Sequence, residues 1–425
     1  LRGGSFDTYG QDAAVQGNIF GFTYALSGFN EKSQGLSSAW GKDFEKDGFE
    51  RQNLGAKIGY KNNALEVNVQ SGWNHLLYSY DAGAFTDGTP RGNDRQYFVG
   101  GNAAFDYHKG RVQFNLRNTN TSRLYQDKNV TNYEDQYLYK GRNLFAELYN
   151  FYRFSDFFSL TVGVQYEKQA MAYQQKPWDA AALQEVNSFG DTSLHNWDVF
   201  GQGSFNYNIL HLDLGARMVN HSKFKDHFVY SINPYILKDY SDLYFKVGYS
   251  YATAFISPTL YQTFGDVYTL PNFDLKPETN ETHEVDLSLG KKDRSIVLNA
   301  SLFHRTESDV FAYEVNPNFT GRFVNVDKNK VKGFEVGIDY SLNDYLKVGG
   351  NFSFAEKDNA ATRLRQPKQR VNSYLELHPF RSTQITFSHQ FVGKRADVYY
   401  DSNFTRQEVT VDAFNLFNLN IGQKL

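Results

Sequence analysis

"GNIFGFTYALSGF", residues 17–29, alternates: Phe20, Phe22, Tyr24 and Leu26 are apolar, and Gly21, Thr23, Ala25 and Ser27 between them are small or polar. A period of two is that of a β-strand, whose successive side chains point to opposite faces. The stretch therefore reads as a strand with one greasy and one wet face. "ALEVNVQSGW", residues 64–73, repeats the pattern, with Leu65, Val67, Val69 and Trp73 set against Glu66, Asn68 and Gln70. So do Phe158, Leu160, Val162, Val164 and Tyr166; Leu210, Leu212, Leu214, Ala216 and Met218; and Leu243, Phe245, Val247, Tyr249 and Tyr251. About 18 strands fit this template. The one helical reading is "WDAAALQEV", 178–186, long enough for about two turns.

Composition agrees with an all-β chain. Of 425 residues, 37 are Phe, 30 Tyr and 4 Trp, 17 % in all, beside 34 Gly and 9 Pro. A formal net charge of -3 points to neither a nucleic-acid footprint nor an acidic tail. The absence of cysteine excludes disulfide frameworks, thiolate zinc sites and cysteine nucleophiles. No apolar run approaches the ~18 residues of a spanning helix, and "LRGGSFDTYGQ" lacks the regions of a signal peptide. The chain is either soluble or crosses a membrane as strands.

Connection lengths decide between these. Short turns at 61, 109, 155, 208, 291 and 343 alternate with long polar segments near 30–50, 76–96, 119–142, 169–195, 252–280, 305–332, 356–369 and 394–409. A soluble sandwich, solenoid or stack of β domains also buries one face of each strand. One trimmed end and one elaborate end, however, is the pattern of outer-membrane barrels, with aromatic side chains at the two interfaces. The fold expected is a transmembrane antiparallel β-barrel spanning 1–425. Because an open sheet edge in lipid leaves backbone groups unsatisfied, strands are expected to be missing at both ends of this chain.

The most irregular connection leaves the strand "KVGYSYATAF", runs through "ISPTLYQTFGDVYTLPNFDLKPE" and re-enters with "THEVDLSLG". Pro258 and Pro271 cannot donate to a ladder, so an extended, unpaired loop is expected, presenting Tyr261, Phe264 and Tyr268 and turning at Asn272, Asp274 and Pro277. This passage resembles the loop and strand boundary of TonB-dependent outer-membrane transporters. "SDVFAYE", "FVNVDKNKVKGFEVGIDYSL", "RLRQPKQRVN" and "FVGKR" extend the likeness over most of the chain, and within the superfamily it is most similar to the cobalamin transporters. That resemblance implies about 22 strands, hence about two absent at each end, and an N-terminal plug domain outside these residues. It also implies active uptake of a large scarce ligand, cobalamin first, with TonB engaged through the plug, outer-membrane lipid around the barrel and a surface lipoprotein as a further partner.

"GKDFEKDGF" spaces Asp43, Glu45 and Asp47 at i, i+2 and i+4, and "YSYDAGAFTDGTPRGND" adds Tyr80, Asp81, Asp87 and Asp94 on the next long loop. Hard oxygen ligands on two facing loops suit Ca2+. Solvated acidic loop residues are the plain alternative. The resemblance implies calcium on such loops, with Asp47, Asp81 and the Tyr80 backbone matching best. For ligand contact the candidates are Ala82 through its backbone, the guanidiniums of Arg365 and Arg395, and Tyr261 and Phe264. Tyr125, Tyr173 and Trp178 are candidate aromatic walls, although interfacial girdles use the same residues. His75, His108, His211 and His389 fall in strands and read as lumen or interface residues. No nucleophile elbow, phosphate loop or paired-histidine zinc motif occurs, so no enzyme is expected. Two rivals to cobalamin uptake remain: a haem or iron-siderophore transporter of the same fold, and, from another class, a passive porin or adhesin barrel.

Overall fold

The computed structural model describes residues 1–81, 83–128, 134–176, 182–316, 320–359, 364–401 and 405–424. In chain order the strands are β1 (Arg2–Gly4), β2 (Thr8–Ile19), β3 (Phe22–Leu36), β4 (Asp47–Lys61), β5 (Leu65–Ser79), β6 (Arg91–Tyr107), β7 (Gly110–Lys128), β8 (Glu134–Arg153) and β9 (Phe158–Lys176). Then come β10 (Gln184–Asn187), β11 (Ser193–Tyr207), β12 (Leu210–His221), β13 (Lys225–Tyr240), β14 (Leu243–Ile256), the helix α1 (Leu260–Phe264), β15 (Glu278–Lys291) and β16 (Ile296–Ser308). The last are β17 (Val310–Val315), β18 (Gly321–Val326), β19 (Asn329–Asn343), β20 (Leu346–Lys357), β21 (Gln369–Phe380), β22 (Thr383–Val392), β23 (Arg395–Tyr400), β24 (Arg406–Val411) and β25 (Phe414–Gln423). Twenty-one strands form one sheet, and β17–β18 and β23–β24 are separate hairpins inserted in long-side connections. The sequence tally of about 18 strands omitted short pieces such as β1 and β10, which carry too few residues to show a period.

Every pairing in the sheet is antiparallel, and register keeps like faces together, as in Val15↔Leu26 and Leu26↔Ala56. The apolar face of these strands is exposed: Leu54 is 58 % accessible, Ile58 65 % and Val199 61 %. The polar face is knitted by side chains instead. Arg111 bridges Glu66 at 3.1 Å and Asp106 at 3.0 Å, Asn115 donates to Glu147 at 2.9 Å, and Arg217 donates to Asp198 at 3.1 Å. A soluble sandwich would bury the first set and solvate the second. The reverse is a barrel with an apolar exterior and a polar lumen. The sheet curls far enough that Phe85 of the β5–β6 connection meets Tyr399 of β23, ring centroids 5.3 Å apart. Among the described residues no ladder joins β2 to β25.

Three local expectations change. Alternation through Phe20 predicts continuous strand, but Phe20 and Gly21 have φ of 51° and 86° and form the two-residue turn between β2 and β3. Residues 184–187 are β10, paired to β9 through Gln184↔Gln175, not the end of a helix. The rest of that stretch, Trp178 included, lies partly outside the described residues. The long/short rhythm also breaks once. β12 and β13 meet on the long side through residues 222–224 alone, where His221 Nδ1 accepts from the amides of Lys223 at 3.2 Å and Phe224 at 3.3 Å.

Candidate functional site

The long-side end carries three assemblies. The first is the connection 257–277, which folds back into the mouth. Thr259 caps α1 and forms a capping box with Gln262, and Gly265 ends it at φ 64°. A Cβ on Gly265 would lie 1.8 Å from the Thr269 carbonyl oxygen, so the turn needs glycine there. Leu260 then packs with Met171, Leu194 and Phe224, with Phe255, Tyr261 and Phe264 around them. Asp266 latches the segment to the wall. Its Oδ2 accepts from Tyr139 at 2.7 Å and Tyr261 at 3.1 Å, and its Oδ1 from the amides of Tyr268 at 2.9 Å and Thr269 at 2.7 Å. Tyr173 is wholly buried beside Tyr139, ring centroids 4.7 Å apart, and among the described residues its hydroxyl has no hydrogen-bond partner.

The connection was expected to be unpaired. Instead Thr269 bridges Gly321 in parallel, Leu270 donates to the Gly321 carbonyl at 2.7 Å, and Asn325 donates to the Lys276 carbonyl at 2.8 Å. The prolines keep it out of the barrel wall but not off β18. Tyr261 and Phe264 thus sit in the packing of the segment. The S/T-x-x-Q pattern "TLYQ" after Pro258 was the sequence signal for α1.

The second assembly joins the loops 37–46 and 80–90. Carboxylate oxygens of Glu45, Asp81 and Asp87 lie within 4.8 Å of one another. Asp81 Oδ2 accepts from the Ala39 amide at 2.6 Å and the hydroxyls of Ser37 and Ser38 at 3.0 Å. Ser38 also donates to Asp47 Oδ2, at 2.8 Å from its hydroxyl and 2.7 Å from its amide, while Asp47 Oδ1 is buried without a partner. Burial opposes the charge on Asp81, but the Ala39 amide and the two serine hydroxyls outweigh it and hold the carboxyl below its ordinary value. Glu45 moves the other way, raised first by its hydrogen bond with Asp87 and then by the surrounding negative charge. Asp43 is exposed, with φ 62°, and stands outside this group. Tyr80 packs between Tyr78 and Tyr125, and its amide donates to the Pro90 carbonyl at 3.1 Å. Asp94 belongs to the wall: it lies in β6, and its Oδ2 accepts from Arg123 at 2.9 Å. Ala82 lies outside the described residues.

The third is a cleft of about 1010 Å³ lined by Lys368, Phe391, Arg395, Asp397, Arg406 and Glu408 among others. Arg365 Nε donates to Asp397 at 2.8 Å, the main reason the Asp397 carboxyl sits below its ordinary value. Lys368 pairs with Glu356 at 2.6 Å and Arg406 with Glu408 at 2.6 Å. Arg395 differs: among the described residues its buried Nη1 has no acceptor. The cleft adjoins the acidic loops through the Phe85–Tyr399 contact.

A rolled antiparallel sheet with an apolar exterior, a polar lumen and elaborated connections at one end defines an outer-membrane-type barrel. Residues 3–425 match the family profile "TonB dependent receptor-like, beta-barrel", and the chain belongs to that family. Solved structures agree on the fold. A mutant of the ferric enterobactin receptor PfeA from Pseudomonas aeruginosa, in complex with enterobactin, superposes with a TM-score of 0.77 at 15 % identity, covering 98 % of this chain and 71 % of that one. The siderophore receptor PirA from Acinetobacter baumannii gives 0.76 at 15 %, covering 98 % and 71 %. The copper transporter OprC gives 0.78 at 13 %, covering 99 % and 70 %. No curated protein matches the chain. The family implies an outer-membrane location.

Proposed function

We propose that this barrel is the wall of a TonB-dependent receptor that captures a large, anionic metal chelate at its long-side end for active uptake. The unpaired Arg395 nitrogen in a cleft of about 1010 Å³ carries the reading. A buried guanidinium donor without an acceptor is costly, and an anionic ligand oxygen relieves it. The neighbouring cations already hold carboxylates, so Arg395 is the ligand donor and Arg365, tied to Asp397, positions the hairpin. A cleft of this size lies at the upper end of small-molecule sites. The solved neighbours named for ferric enterobactin and siderophores support a ferric chelate as the ligand class.

Cobalamin is the second reading, favoured by the acidic loops. Glu45, Asp81 and Asp87, with the unpartnered Asp47 Oδ1 nearby, offer only hard oxygen atoms, a donor set that fits Ca2+ and not a soft metal. Bound there, Ca2+ would offset two of the three carboxylate charges and fix the two loops against each other. Their ordering cost would then no longer be charged against ligand affinity.

The test is a fluorescence titration of full-length receptor in detergent with a ferric catecholate, a ferric hydroxamate and cobalamin, each with calcium and with chelator. The ferric-chelate reading expects saturable binding of an iron complex, weakened at least tenfold in Arg395→Gln. Binding of cobalamin alone, lost with chelator, would replace it with the second reading. No saturable binding of any of the three would overturn both.

A further inference from the structure

The outer face of the sheet carries a motif repeated three times. Trp73 of β5 lies opposite Tyr97 of β6, and two residues toward the long side His75 lies opposite Arg95. Trp197 of β11 lies opposite Tyr166 of β9, with rings 4.5 Å apart, and two residues toward the long side His195 lies opposite Lys168. Leu302 of β16 lies opposite Phe334 of β19, and His304 follows opposite Lys332. Parity puts all of these outward: Lys168 shares its face with Val162 and Val164, Arg95 with Val99, and Lys332 with Val336, each of them an exposed apolar residue.

Two basic groups directly opposite on one face repel when both are charged. An anion between the two relieves that repulsion. Among the described residues neither Arg95 nor Lys168 makes an ion pair, and His75 is bonded only to neutral Asn93 at 3.0 Å. Lys332 has Glu356 at 3.7 Å, so the first two pairs carry the argument. Beside the second, the guanidinium of Arg142 on β8 lies 4.0 Å over the Phe189 ring.

Position identifies the covering anion. Trp and Tyr pairs on a barrel exterior sit at headgroup depth. Two residues further along a strand is roughly 7 Å, which lifts each His–cation pair off the hydrocarbon and into the phosphate layer. We propose that these pairs are seats for the phosphate groups of lipids in the leaflet at the long-side end. The inference rests on the barrel's being embedded in the outer membrane, and is independent of which chelate is bound. Phosphate accepts from the guanidinium or ammonium on one strand and from the imidazolium form of the histidine on the next, so a single headgroup spans two strands.

The experiment uses full-length receptor in neutral detergent mixed with phosphatidic acid or phosphatidylcholine, with retained lipids counted by native mass spectrometry. Selective retention of phosphatidic acid, falling as salt rises, is expected. Arg95→Gln and Lys168→Gln should each reduce that selectivity about fivefold. Lys57→Gln, on the opposite, luminal face, should leave it unchanged. Heat-modifiable migration of each variant on gels certifies that the barrel has formed. Equal retention of the two lipids, or phosphatidic acid retention unaltered in the Arg95→Gln/Lys168→Gln double variant, overturns the proposal. Ligand titration of that double variant separates this failure from failure of the receptor reading, because chelate binding at the mouth does not depend on the outer face.

Discussion

The segment 257–277 and the paired loops 37–46 and 80–90 stand at the same end of the barrel and are held by opposite means. The first is closed by its own chemistry. Leu260 lies among Met171, Leu194 and Phe224, Asp266 accepts four hydrogen bonds, and β18 takes the backbone. The second is joined by polar groups, with aromatic contacts of Tyr80 and Phe85 at its flanks. Serine hydroxyls, the Ala39 amide on Asp81 and a backbone bond from Trp40 to Ala84 join its two loops, Trp40 itself is 81 % exposed, and three carboxylates converge. One region is closed by apolar and backbone contacts; the other gathers like charges. The contrast predicts a preformed wall of the mouth beside a part whose order responds to a bound cation.

The hardest blow to that contrast falls on Asp266. Asp266→Ala strands the Tyr139 phenol and two amides at once, while Tyr261 keeps Thr269 Oγ1 at 2.9 Å, so the opening free energy of 257–277 should drop by about 3 kcal/mol, roughly a hundredfold in exchange rate. Hydrogen exchange reads this locally, with β5 and β6 as internal controls. If the segment stays as protected as in the parent, packing alone holds it and the latch is incidental.

Chelation and pH probe the other side. Raised in the fold, Glu45 favours the ion-free loops most at or below its ordinary pKa of 4.5, and that contribution is lost as pH rises through its raised value. Asp81 has the opposite sign: its lowered pKa contributes above the ordinary 3.8 and is lost as pH falls through the lowered value. In chelator, protection of 37–46 and 80–90 should therefore weaken as pH climbs from about 4.5. Calcium should abolish that loss, because the cation takes the place of the proton Glu45 shares with Asp87. The fluorescence of Trp40 reports the same event, and Asp81→Asn should remove the calcium response. Loops equally protected with and without the ion at neutral pH would mean that the carboxylates are merely solvated, and the contrast would collapse.

How much of this was legible in sequence follows from where the information lies. Period-two alternation is set by local sterics and burial, so the wall strands and their two faces could be read from one residue to the next. The connection rhythm gave the sidedness, except at 222–224, where a turn closed by His221 Nδ1 depends on a side-chain bond that spacing does not reveal. The acidic loops were legible as a cluster, yet Asp94 belonged to the wall, because its partner Arg123 comes from β7 and cross-strand register is not written in either strand alone. Least legible was 257–277. Its prolines announced an interruption, but its contacts with Tyr139, Met171 and Gly321 are separated from it by 40 residues or more in sequence. Cross-strand His–cation pairs escaped for the same reason.

A smaller change sharpens the first half of the comparison. Thr259→Ala removes the cap from α1 and should cost the segment about 1 kcal/mol. The barrel wall should not respond, since α1 touches it through side chains only. Protection lost in β8 or β9 as well would show that the segment supports the wall and not the reverse.

The smallest effect expected has the opposite sign. Tyr173 is buried with its hydroxyl unpaired, and such a group detracts from stability. Tyr173→Phe keeps the ring against Tyr139 and deletes only the unsatisfied oxygen, so 257–277 should become slightly better protected, by up to about 1 kcal/mol. Chelate affinity should hold as well, because the oxygen faces the packed interior and not the cleft at Arg395. Loss of protection would mean that the hydroxyl is bonded in solution. Loss of affinity with protection intact would be more informative: the preformed wall would then open toward the ligand, and the division between a complete region and a ligand-conditioned one would have to be redrawn through Tyr173.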